Sequence, residues 1–148
     1  MTRFFTLVFL ALTPVAALAE NGVKTNAQEM IRPAGETELS EFLWINRPII
    51  VFADSAADPR FAEQIDLLSE GLELLAERDV VILTDTDPAA MLPIRKKLRP
   101  RGFSMVLVAK DGRVLLRKPH PWDIRELTRS IDKLPARQRE IRERRGDG

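Results

Sequence analysis

The chain has 148 residues, 23 basic against 22 acidic side chains, a single histidine, and neither cysteine nor tyrosine. Without a thiol it has no nucleophile for thiol–disulfide exchange and no thiolate zinc site. Its near balance of charge gives no broad drive toward nucleic acid, and its size suits one domain with a full core.

Residues 1–19 read as a secretory signal peptide. Arg3 supplies the positive start, Phe4 to Leu12 the apolar stretch, and Ala17-Leu18-Ala19 the small-residue cleavage pattern. A membrane anchor needs about 20 apolar residues, and Pro14 and Glu20 cut this run short. The mature chain is expected to start at Glu20, formally neutral once Arg3 is gone, with no transmembrane segment. A domain that is stable without disulfides in an oxidising compartment points to a periplasmic or secreted bacterial protein.

Residues 20–36 form a polar lead-in that breaks at Pro33-Ala34-Gly35, and the folded domain is expected over 37–135. Leu39, Phe42 and Leu43 mark a short helix that Pro48 ends. Ile49-Ile50-Val51-Phe52 is a continuous apolar run, as in a strand buried on both faces. Phe61, Ile65, Leu68, Leu72 and Leu75 then recur at helical steps, predicting one long helix that closes at Arg78-Asp79 before a second buried strand, Val80 to Leu83.

Asp87-Pro88 opens a third helix, with Met91, Ile94 and Leu98 inward, which stops before Pro100. Met105 to Val108 and Val114 to Leu116 pair as a hairpin, because Asp111-Gly112 is a favoured two-residue turn. A last helix runs from Pro121 and buries Ile124, Leu127, Ile131 and Leu134. Residues 136–148 form a charged tail, in which Arg137 to Arg145 hold five arginines and two glutamates. There Glu140 and Arg144, or Arg139 and Glu143, can pair across a helical turn. A solvated helix extension that frays near Gly146 is expected, with weak membrane-surface contact as the minority reading.

The order β-α-β-α-β-β-α, with a mixed central sheet and flanking helices, is that of the thioredoxin-like α/β fold. Arg101-Gly102-Phe103-Ser104 and the strand and Lys110-Asp111-Gly112 turn after it resemble the corresponding stretch of thioredoxin. Ser104 stands where that superfamily carries a cis-proline, so the bond before it is expected to be trans. The chain resembles more closely a thioredoxin-like domain family of unknown function, found as secreted bacterial single domains and within vertebrate sushi-repeat extracellular-matrix proteins. Arg47 to Ala53, Glu77 to Val81, Phe103 to Gly112 and Ile131 to Pro135 carry that resemblance across about residues 39–140. It implies the fold and no assigned activity, so it transfers no functional residue.

The fold gathers Asp54, Ser55, Asp58, Asp85, Asp87, Arg101 and Ser104 at the rim where the parallel strands end, the usual ligand edge of open α/β sheets. Several carboxylates there could hold a hard cation through oxygen, but no spaced ligand motif of the EF-hand kind is present. Asp58-Pro59 and Asp87-Pro88 also read simply as N-caps followed by proline, and Asp54 and Asp85 as turn residues. Ser55 lacks a nucleophile-elbow context, and His120, between Pro119 and Pro121, is expected far from the rim. Trp44 and Trp122 are read as packing residues first and partner anchors second.

Two functions follow. One is a secreted, redox-inactive binding module for an envelope protein or peptide, without cofactor, metal or catalytic residue. The other is a small ligand or metal binder, or an enzyme, that uses the Asp/Ser rim.

Overall fold

The computed structural model describes residues 29–146. The signal peptide read in residues 1–19, the Glu20 start and the first part of the lead-in lie outside them. The apolar run Ile49 to Phe52 sits in β2 (Arg47–Phe52), whose six residues are all buried. Side chains of a strand alternate between faces, and the core follows that alternation. Ile49 and Val51 join Ile82, Met105 and Leu107 in one layer, while Ile50 and Phe52 join Leu83, Val106 and Val108 in the other. A strand walled on both sides has to be apolar throughout.

β2 pairs in parallel with β3 (Val80–Asp85) and antiparallel with β4 (Ser104–Val108). β5 (Val114–Lys118) continues the sheet antiparallel to β4, and β1 (Ile31–Pro33), drawn from the lead-in, lies parallel to β3. The five strands run β1-β3-β2-β4-β5. The mixed α/β sheet with flanking helices is as expected, with one strand more. β1 is an edge strand, the place where a sheet tolerates Pro33.

The long helix expected before β3 is two helices, α1 (Pro59–Ser69) and α2 (Leu72–Ala76). The break falls at Gly71, where a Cβ would collide with the Ile124 side chain. Leu68 of α1 and Leu75 of α2, both fully buried, cover the first layer together with Leu127 and Ile131 from later in the chain. Each such Leu or Ile contributes about 1.5–3 kcal/mol of burial.

The second layer is covered by a 3-10 turn at Leu39–Phe42 and by α3 (Pro93–Leu98), through Ile94 and Leu98. The helix expected to open at Asp87-Pro88 is only a 3-10 turn, Pro88–Ala90; α3 starts afresh at Pro93, which holds Leu92 in an extended conformation. Met91, expected inward, adopts φ 47° and is 51% exposed.

The Asp111-Gly112 turn is a three-residue loop rather than a two-residue one. The Ala109 N–H donates to the Arg113 carbonyl at 2.8 Å, and Gly112 supplies the positive φ of 88° that closes the loop. The last helix starts not at Pro121 but at Ile124: α4 (Ile124–Asp132) is capped by Asp123, whose carboxylate accepts the Glu126 N–H at 2.8 Å. The helix extension expected of the tail is α5 (Pro135–Arg145), which ends at Gly146 but packs on the domain rather than lying in solvent, with Arg137 buried.

Candidate functional site

The register places Asp85, Phe52 and Ser104 side by side across β3, β2 and β4. This is the rim to which the sequence assigns its candidate residues. Most of their polar groups are committed locally.

Asp85 is 4% exposed, and its carboxylate receives Arg95 Nε at 2.9 Å and Nη2 at 3.1 Å. It also accepts the Asp87 N–H at 3.1 Å. Arg95 donates further to the Ala53 and Asp85 carbonyls, and its guanidinium lies 5.3 Å from the Phe52 ring centroid. Asp58 caps α1 by accepting the Arg60 N–H at 2.9 Å, and Arg60 closes a side-chain pair on it at 2.7 Å. That hydrogen bond from Arg60 holds the Asp58 carboxyl below its ordinary pKa. Asp87 caps the 3-10 turn through the Ala89 N–H at 3.2 Å, and Ser55 Oγ accepts the Ala57 N–H at 3.1 Å.

The remaining three candidates, Asp54, Arg101 and Ser104, line cavities at the rim. Asp54 lines a cavity of about 490 Å³ with Pro88, Arg95, Lys96 and Arg99. Arg101 and Ser104 share a neighbouring cavity of about 400 Å³ with Arg99, Phe103, Arg117 and Pro119. The peptide bond before Ser104 is trans, as expected. Ser104 is 4% exposed, and among the described residues its Oγ has no hydrogen-bond partner, a state that costs about 1–3 kcal/mol. His120, expected far from the rim, follows directly on Pro119, which walls the Ser104 cavity, and β5 places Lys118 opposite Met105. Among the described residues no group of three or more histidine, aspartate or glutamate side chains is placed to hold a metal.

The opposite end of the sheet is built differently, and little of it is read from sequence. Arg47, 1% exposed, donates to Glu140 of α5 through Nη2 at 2.8 Å and Nη1 at 3.2 Å, and to the Arg78 carbonyl. Lys110 reaches both Glu140, at 3.0 Å, and Asp79, at 2.8 Å. Burial raises the Glu140 pKa, but hydrogen bonds from Arg47 and Lys110 outweigh it and hold the carboxyl at about 2. Arg144 binds Asp79 at 3.0 Å, and Arg78 grips Asp132 at 2.7 and 2.9 Å. Glu140 and Arg144 therefore face other partners than each other.

Beside this network stand three exposed apolar residues, Leu43 at 37%, Trp44 at 76% and Ile45 at 63%. Trp44 has φ 65° and is tied through its N–H to the Lys110 carbonyl at 2.8 Å. It edges a groove of about 590 Å³ whose apolar wall is Leu115, Leu134 and Pro135. The signal for this end was the pair of large apolar residues just before Asn46, outside any periodic stretch.

The architecture is shared with solved peroxiredoxins of thioredoxin fold. A reduced 2-Cys peroxiredoxin of Plasmodium vivax superimposes with a TM-score of 0.53 at 16% identity, over 68% of this chain and 84% of that one. Plasmodium yoelii Prx1a, in an N-terminally modified form, gives 0.52 at 16% identity, over 68% and 80%. Such identities carry the fold alone. No curated protein matches the chain. A family model described as a domain of unknown function, DUF4174, matches residues 38–140, which take in β2 to β5 and all five α-helices up to the middle of α5. The chain thus belongs to the DUF4174 family of domains of unknown function, built on a thioredoxin-like fold.

Proposed function

We propose that this chain is an extracytoplasmic binding module that docks a partner protein through Trp44 and its neighbours and performs no thiol redox chemistry. Trp44 carries the reading. A tryptophan that is 76% exposed and held at φ 65° gains little for the fold, because a non-glycine residue in the left-handed region is strained. Tryptophan is also the residue type most enriched among interface anchors. Ile45 widens the patch, and the Leu115–Leu134–Pro135 wall offers a place for an apolar side chain of the partner. The signal-peptide pattern of residues 1–19 supports an envelope or extracellular partner.

The alternative, a metal binder or enzyme built on Asp54, Ser55, Asp58 and Asp85, is less well supported. Asp58 and Asp85 are saturated by arginines, and Ser55 closes its own turn.

Photo-crosslinking from position 45 in the native envelope, followed by rebinding of the purified captured protein, tests the proposal. We expect one defined partner, with Trp44→Ala weakening its rebinding at least tenfold. Rebinding unaffected by Trp44→Ala, or capture only of a second copy of the chain, would overturn it.

A further inference from the structure

We propose that the cavity above Ser104 is an anion site for a small phosphate monoester, at the end of the sheet opposite the Trp44 patch. Three arginines, Arg99, Arg101 and Arg117, line its wall of about 400 Å³ without a carboxylate among them. The adjoining cavity shares Arg99 and adds Lys96; its one carboxylate is Asp54. Lys96, Arg99 and Arg101 make no ion pair among the described residues, and Arg117 is engaged only through Nη2, on the Leu98 carbonyl at 2.9 Å. Elsewhere in this molecule converging arginines meet carboxylates, as Arg47 and Arg137 do at Glu140. Here the nearest buried carboxylate, Asp85, is already taken by Arg95.

Ser104 is the second, independent observation. It lines the same cavity, is only 4% exposed, and its hydroxyl has no partner among the described residues. A buried hydroxyl both donates and accepts, and an oxyanion held between the guanidinium groups supplies the acceptor it lacks. Phe103 and Pro119 complete the wall with apolar surface. Guanidinium forks match both carboxylate and phosphate, but three of them without internal neutralisation complement a dianion better than a monocarboxylate. The volume exceeds that of a bare ion and falls in the range of small-ligand sites.

The test is a titration of the purified protein followed by amide NMR, with inorganic phosphate and phenyl phosphate as probes, and with sodium acetate and sodium chloride at matched ionic strength. We expect saturable shifts centred on residues 99–104 and 117–119, with phenyl phosphate binding more tightly than phosphate and acetate at least tenfold more weakly. Arg101→Gln, at an exposed position, should weaken phenyl phosphate about tenfold, and Ser104→Ala should weaken it severalfold in a protein that is still folded. Arg139→Gln, on the opposite end, should leave it unchanged. Shifts that chloride reproduces, acetate binding as tightly as phosphate, or an unchanged affinity in Arg101→Gln would each overturn the proposal.

Discussion

Two arginines lie buried at opposite ends of β2, each held by a carboxylate, and their surroundings diverge from there. At the rim, Arg95 meets Asp85 from ten residues earlier, with both side chains at most 7% exposed and two backbone carbonyls taking the remaining Nη2 contacts. At the other end, Arg47 meets Glu140 from 93 residues later; Glu140 is 20% exposed, and Arg47 Nε has no partner among the described residues. The first pair closes a local loop over the sheet edge. The second fastens α5 to the domain. The surface left over differs in kind: at the rim Asp85 and Asp58 are taken by arginines while Arg99 and Arg101 stay without an ion pair among the described residues, whereas at the far end Arg47 and Arg144 are paired and the exposed Trp44 and Ile45 stand beside them. A fold that has no thiol site can therefore present two chemically distinct faces from one sheet.

The strongest way to break this comparison is to strand Arg95. Asp85→Ala leaves a guanidinium buried without its counter-charge, which typically costs about 3–5 kcal/mol. Urea unfolding should show that loss as a lower midpoint at an unchanged slope. A loss below about 1 kcal/mol would mean that the Ala53 and Asp85 carbonyls and the Phe52 ring suffice to hold Arg95, and that the rim carboxylate is available for other work.

The Arg47–Glu140 pair should be the softer of the two. Glu140→Gln is expected to cost about 2 kcal/mol, reduced from the fully buried case by the partial exposure of Glu140. Acid sharpens the point. The folded pKa of about 2 lies below the ordinary 4.5, so the stabilisation from Glu140 is fully present above about pH 4.5 and is lost as the pH falls toward 2. The stability gap between the wild type and Glu140→Gln should therefore narrow between pH 5 and pH 2. A gap that stays constant over that range would show that Glu140 acts through packing rather than charge.

The parts of this molecule that sequence reveals are those governed by a local period. Ile49 to Phe52 and Val80 to Leu83 announce buried strands because both of their faces are walled, and Asp58-Pro59 announces α1 because the cap and the fixed proline φ act within one turn. β1 is not announced: Ile31-Arg32-Pro33 is too short for alternation to register, and its place comes from pairing with Ile82, Leu83 and Thr84. The Gly71 break also depends on a distant residue, Ile124, that no helical pattern includes. The same division holds for the rim. Strand order alone predicts that Asp85 and Ser104 flank Phe52, but the pairing of Asp85 with Arg95 depends on where α3 sets one side chain. Trp44 is the extreme case, since an aromatic residue at a strand entrance reads as core until its neighbours are known to lie elsewhere.

Trp44 gives the smallest expected change in stability and the most direct reading of the far end. At φ 65° a glycine meets no steric penalty, while alanine retains the Cβ clash of the left-handed region, about 1–2 kcal/mol. Glycine also loses more freedom on folding, about 0.5–1 kcal/mol, so Trp44→Gly should lie between equal to and about 1.5 kcal/mol more stable than Trp44→Ala. Thermal and urea unfolding of the two variants beside the wild type measure this. If the tryptophan serves a partner, both variants lose partner binding while Trp44→Gly stays within about 1 kcal/mol of the wild type, the pattern of a residue kept at some expense of stability. A loss above about 2 kcal/mol in Trp44→Gly would make the indole a packing element of the groove and remove the anchor from the docking face.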